Sequence, residues 1–192
     1  MQKRIREILQ SSISVKTSVL ADENLLKNIE TATSLIIAAF QNHGKVLFCG
    51  NGGSAADAQH LAAEFSGRFY YDRDPLDAEA LHVNTSYLTA VANDYSYNEV
   101  YSRLVKAKGS AGDVLVALST SGNSQNILKA METARMIGMK TIGFTGDSGG
   151  KMKALSDILI NVPSDDTPRI QESHITIGHI VCELVEAGLF PQ

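Results

Sequence analysis

The chain has 192 residues, room for one ordinary domain with a buried core. With 44% hydrophobic and 20% charged residues it has globular rather than disordered composition. A net charge of -4 with scattered Lys and Arg argues against a nucleic-acid binder, and no apolar run approaches the roughly 20 residues that span a bilayer.

Two helical patterns lead. Ile5, Ile8, Leu9 and Ile13 form one apolar stripe; Leu26, Ile29, Ile36, Ile37 and Phe40 form a second, with Asp22 as its N-cap. The opening stretch MQKRIREILQSS has no signal-peptide core, and two cysteines, Cys49 and Cys182, are too few for a disulfide scaffold. A cytoplasmic protein with reduced thiols is expected.

From residue 45 onward, apolar strands alternate with helical patterns. KVLFCG (45–50), ALHV (80–83), DVLVALS (113–119), KTIGFTG (140–146) and DILINVP (157–163) read as strands. SAADAQHLAAEFSGRF, SYLTAVAND, SQNILKAMETARMIG and a long segment from about Pro168 read as helices. Solidly apolar strands alternating with helices imply βαβ units and a parallel sheet covered on both faces. No linker or repeat interrupts the pattern, so residues 1–192 are expected to form one α/β domain with an N-terminal helical pair.

The loop CGNGGSAADAQ follows the first strand. Its glycines let a backbone approach a ligand, and the helix start offers free N–H groups to an anion; a tight turn explains the glycines equally well. Asn51 and Ser54 add groups that hydrogen-bond a polyol. The spelling matches neither the dinucleotide nor the nucleoside-triphosphate fingerprint. At a second strand end, Ser119, Thr120, Ser121 and Ser124 place four hydroxyls within six residues, with Gly122 relaxing the turn. One hydroxyl would be a helix cap. Four, beside a helix N-terminus, point to a phosphate cradle.

His60 and Glu64 are four apart on one helix and share a face. The spacing suits a divalent metal such as zinc, or a plain His–Glu hydrogen bond. On the last helix Gln171, Ile175 and His179 form one row, with Gly178 leaving room for close approach. Ile170, His174, Ile177, Val181 and Leu184 form the adjacent row, so His174 reads as packing or interface and His179 as site, although taken alone His179 is more often an ordinary helix histidine.

GNGGSAADAQH together with LSTSGNS resembles the sugar isomerase (SIS) fold: a five-stranded parallel sheet flanked by helices, flavodoxin-like or Rossmann-like in its winding. HLAAEFSGRF, ANDYSYNEV, TGDSGGKM and RIQESHITIGH extend the resemblance, almost end to end, to the phosphoheptose isomerases. The resemblance implies isomerisation of sedoheptulose 7-phosphate to D-glycero-D-manno-heptose 7-phosphate through an enediol, the first step of bacterial ADP/GDP-heptose synthesis, which serves lipopolysaccharide among other products. It implies Glu64 and His179 as the acid/base pair, their order open. One Zn²⁺ per subunit falls to His60, Glu64, Gln171 and His179. Substrate contacts fall to Asn51, Gly52, Gly53, Ser54, Glu64, Asn93, Asp94, Ser119, Thr120, Ser121, Ser124 and Gln171. Without the resemblance Asn93-Asp94 reads as a turn after a short helix.

The resemblance also implies a homotetramer with active sites at subunit interfaces, packed through helices in residues 1–43 around an α/β core and C-terminal helix in 44–192. Gln171 and His179 are about 12 Å apart along their helix, near the limit for meeting at one ion, so a bent helix start or a second subunit is required. Pro168 stands where some relatives carry an aspartate, which leaves that carboxylate's role to Asp166 or to none. A non-enzymatic paralogue that binds the replication initiator DnaA is the main alternative, sharing the RI start and the LFP ending. The presence of both Glu64 and His179 favours the enzyme.

Overall fold

The apolar runs become the strands of one parallel sheet. In the computed structural model, which describes residues 1–192, these are β1 (Val46–Gly50), β2 (Ala78–Ala80), β3 (Val114–Leu118), β4 (Lys140–Thr145) and β5 (Ile158–Asn161). Their order is β2-β1-β3-β4-β5, all neighbours parallel. This is the flavodoxin-like winding, which reverses between β1 and β3 and opens a ligand crevice at their C-terminal ends. Every residue of β1 and β3 is buried, which is why neither strand shows polar alternation in sequence.

Seven helices cover the sheet: α1 (Gln2–Ala21), α2 (Glu23–Gln41), α3 (Gly53–Ser66), α4 (Thr85–Asp94), α5 (Val100–Lys108), α6 (Gln125–Met136) and α7 (Thr167–Leu189). Alternate residues of β1 feed two cores. Val46 and Phe48 pack with α2, α3 and α7; Leu47 and Cys49 pack with α5 and α6. Asp22 caps α2 as expected, its Oδ1 accepting from the Asn24 and Leu25 N–H groups. The second helix is a core helix of this chain, with Leu25, Ile29, Ala32 and Ile36 buried. Helix α1 has no buried residue: Val15 and Val19 pack partly against the core, while Ile5, Leu9, Ile13 and Leu20 are exposed.

Several boundaries differ from the sequence reading. The α5 helix was unexpected: its nine residues bury only Val100, Tyr101, Ser102 and Val105, too short a run for a helical period to stand out. The edge strand β2 lies at 78–80, because only three of its residues pair with β1, and His82 and Val83 fall in the following turn. The third helix stops at Ser66 with Gly67 as its C-cap. No helix of the chain is long and apolar enough to cross a membrane.

His174 is fully buried, its Nε2 donating to the Thr145 carbonyl at 3.0 Å, which bears out its reading as packing. Burial pushes its pKa down to about 4, with the carbonyl opposing the shift. Leu184, assigned to the same stripe, instead lies 46% exposed at the outer end of the helix. Cys49 and Cys182 are free and buried, and burial raises both thiol pKa values, leaving them unreactive.

Candidate active site

The crevice between β1 and β3 holds the two loops singled out by sequence. Asn51, Ser54, Ser119, Thr120, Ser121, Ser124, Thr167 and Gln171 line a cavity of about 240 Å³. Ser119 Oγ lies 3.5 Å from Ser121 Oγ and 3.2 Å from Ser124 Oγ, so three of the four hydroxyls form one cluster. Ser124 is the N-cap residue of α6 but makes no side-chain cap bond, which leaves its hydroxyl for the cluster and the Gln125 and Asn126 N–H groups for a ligand. Gly122 holds φ +65°, and a Cβ there would come within 2.3 Å of the Gly149 carbonyl oxygen, so the turn requires glycine. Thr167 was not foreseen; it reaches the cavity from the first residue of α7, more than 40 positions from the loop it joins.

Helices α3 and α7 run side by side in the same direction. A Cβ on Gly53 would meet Gln171 Nε2 at 2.5 Å, and a Cβ on Gly178 would meet Leu61 Cδ1 at 2.6 Å. The second contact is the close approach that Gly178 was expected to permit. Two turns beyond Gly53, His60 Nε2 and His179 Nε2 face each other at 2.9 Å, and Glu64 Oε1 lies 3.3 Å from His60 Nε2. Asp57, on the same face one turn before His60, was not singled out from the sequence. Its Oδ2 is buried without a partner; burial raises its pKa, and the nearby His60 and His179 act in the opposite direction.

A buried ion pair fixes this end of α3. Glu186 and Arg73, 1% and 2% exposed, meet at 2.9 Å. Glu186 also accepts the N–H groups of Phe69, Tyr70 and Tyr71. Arg73 donates to the carbonyls of Glu64, Phe65, Gly67 and Asp74, closing the C-terminus of α3. Burial pushes the Glu186 pKa up, but the backbone N–H groups and Arg73 outweigh it and hold the carboxyl below its ordinary value. The pinned loop carries Phe69, whose ring centroid lies 5.8 Å from that of His179.

The geometry divides the expected residues into two groups. The hydroxyl loop, Ser54 and Gln171 gather at the N-terminal end of the α3–α7 pair; His60, Glu64 and His179 gather about 10 Å further along α3. Gln171 thus lies beside Gly53, two turns from the histidine pair. Asn93 and Asp94 end α4, their exposed side chains bonded to each other at 2.9 Å. Pro168 sits in the first turn of α7, and Asp166, its N-cap residue, makes no side-chain cap bond.

Two imidazoles and a carboxylate are a donor set that suits zinc in type. Two Nε2 atoms facing each other also need either a proton or a cation between them. Their 2.9 Å separation is that of a hydrogen bond, whereas tetrahedral zinc sets its donors about 3.3 Å apart. No group of three or more His, Cys, Asp or Glu side chains is already spaced for an ion. The donors therefore fit zinc in type, and the two Nε2 atoms would have to part by a few tenths of an ångström to hold it.

Fold and hydroxyl cradle together define the SIS class, and the family profile described as SIS domain matches residues 11–146. A phosphoheptose isomerase from Aneurinibacillus thermoaerophilus is 53% identical over 190 residues, covering 99% of this chain and 96% of its own length. One from Burkholderia pseudomallei (strain 1710b) is 50% identical, covering 99% and 98%. The solved phosphoheptose isomerase from Neisseria gonorrhoeae superposes with a TM-score of 0.91 at 43% identity, covering 97% of this chain and 98% of that one. The chain belongs to the phosphoheptose isomerase family.

Proposed function

We propose that the protein is an aldose–ketose isomerase that converts sedoheptulose 7-phosphate to D-glycero-D-manno-heptose 7-phosphate. The observation that carries this reading is the paired helices α3 and α7, with a hydroxyl-lined cavity at their N-terminal ends and His60, Glu64 and His179 converging two turns further along. A substrate reaching from one to the other holds its phosphate about 10 Å from the reacting carbons, which suits a long sugar phosphorylated at its far end.

The chemistry follows from the groups present. Ser119, Thr120, Ser121 and Ser124 donate to phosphate oxygens at the N-terminus of α6, and that remote binding orients C1 and C2. Glu64 and His179 form the acid/base pair. One removes the proton from C1 of the ketose and returns it to C2; the other moves the proton between the two oxygens, so an enediol forms and collapses without net loss of atoms. Phe69 and the Arg73–Glu186 pin hold His179 and the end of α3 against each other. His60, Glu64 and His179 would hold zinc; Gln171, the fourth donor that the family resemblance implies, lies beside Gly53 two turns away and does not reach them within one chain. When bound, zinc supplies a Lewis acid that polarises the carbonyl.

The uncovered apolar side of α1 supports a homotetramer packed through this helix. A cytoplasmic setting agrees with two buried free thiols. The decisive variant is Glu64→Gln, expected to abolish turnover while binding of the phosphosugar persists. Near-normal turnover in Glu64→Gln refutes the assignment.

A further inference from the structure

The Asn51 side chain is committed inside the protein. Its Nδ2 donates to Asn126 Oδ1 at 2.9 Å, and Asn126 Nδ2 donates back to Asn51 Oδ1 at 2.8 Å. The Tyr97 hydroxyl donates to the same Asn51 Oδ1 at 3.1 Å. Asn126 is 3% exposed, and its Oδ1 also accepts the Ile127 N–H of its own helix. One residue before Asn51, the Tyr101 hydroxyl donates to the Gly50 carbonyl.

Three separate segments therefore meet on one amide. Asn51 belongs to the glycine loop after β1. Asn126 lies in the first turn of α6, two residues beyond the hydroxyl cluster. Tyr97 opens the 3-10 turn Tyr97–Glu99 that follows α4. Neither Asn126 nor Tyr97 lines the cavity, and the proton transfer uses neither. A half-buried amide and a buried one that satisfy each other fix a separation and an orientation, because moving either one strands the other's donor and acceptor.

We propose that Asn126 and Tyr97 are positioning residues, clamping Asn51 so that the Gly52–Ser54 backbone and the Ser119–Ser124 hydroxyls face the same ligand at a fixed spacing. The inference deepens the proposed function and rests on it for the identity of the ligand. Its consequence is a division of labour. The clamp lies at the phosphate end, two helical turns from Glu64 and His179, so it acts chiefly on how tightly the phosphosugar is held and does not touch the proton-transferring groups.

The test uses the full-length wild type, Asn126→Asp and Tyr97→Phe. Asn126→Asp keeps the shape but sets a carboxylate oxygen against Asn51 Oδ1; Tyr97→Phe removes one exposed hydroxyl and leaves the fold intact. KM and kcat on sedoheptulose 7-phosphate are read with peptide-level hydrogen exchange. Asn126→Asp should raise KM about tenfold and Tyr97→Phe about threefold, with kcat within about threefold of wild type in both. Deuterium uptake should rise over residues 50–57 while peptides of β4 and β5 stay unchanged, a local pattern that general destabilisation does not produce. Wild-type KM together with wild-type uptake in Tyr97→Phe overturns the clamp, even if Asn126→Asp does not fold. A wild type that neither turns over nor binds the sugar sinks the proposed function instead, and the exchange data alone then decide the clamp.

Discussion

Replacing Glu186 by Gln should cost far more than its size suggests. The variant keeps the shape of the side chain but leaves the Arg73 guanidinium, 2% exposed, without a counter-charge. It also turns one acceptor oxygen into a donor facing the N–H groups of Phe69, Tyr70 and Tyr71. Breaking a buried pair from one side costs about 3–5 kcal/mol. In a chain of this length each kcal/mol moves Tm by roughly 2–4 °C, so the expected fall is on the order of 6–20 °C. The double variant Arg73→Met, Glu186→Met separates two explanations. Many buried pairs are replaced by apolar residues at no loss. Here the pair also satisfies three backbone N–H groups and four carbonyls, so the double variant should stay well below wild type. Thermal denaturation followed by circular dichroism reads both variants. A double variant as stable as wild type would refute the claim that the pair's worth lies in the backbone groups it closes.

His174 predicts a stability loss in mild acid. Its folded pKa, about 4, lies below the ordinary 6.5, so the neutral form's stability is fully present above pH 6.5 and is lost as pH falls towards 4, amounting to about 3 kcal/mol. Urea titrations across that window should show the slope in wild type and a flatter one in His174→Gln; equal slopes would remove His174 as its cause. Glu186, held below its ordinary value of 4.5, adds a separate loss at lower pH. His60→Ala and His179→Ala should each lose bound zinc, measured by elemental analysis after loading and desalting; full zinc content in both would dismiss the grouping. Ser121→Ala should weaken phosphosugar binding about fivefold to tenfold by calorimetry, and unchanged affinity would remove this hydroxyl from the cradle.

How much of this was legible depended on where each residue's partners lie. The central strands were plain because burial on both faces leaves solidly apolar runs, whereas β2 shifted because an edge strand pairs over only three residues. The hydroxyl loop was legible because its members are neighbours in sequence. Helical spacing put His60 and Glu64 on one face, but their role and that of His179 came from the family resemblance. Spacing also put Gln171 and His179 on one row, but only the pairing of α3 with α7 sends Gln171 to Gly53 and His179 to His60. Asn51 and Asn126 are 75 residues apart, and Arg73 and Glu186 are 113 apart. Each partner taken singly is an ordinary polar residue, and only the folded chain brings the pairs together.

The central claim is tested most directly by incubating the purified wild-type protein with sedoheptulose 7-phosphate and detecting the aldose heptose 7-phosphate, with and without chelator and added zinc. The account predicts conversion that chelation removes and zinc restores. Folded, zinc-loaded protein that forms no aldose would contradict it and leave the initiator-binding reading, with Glu64 and His179 as relics of an isomerase.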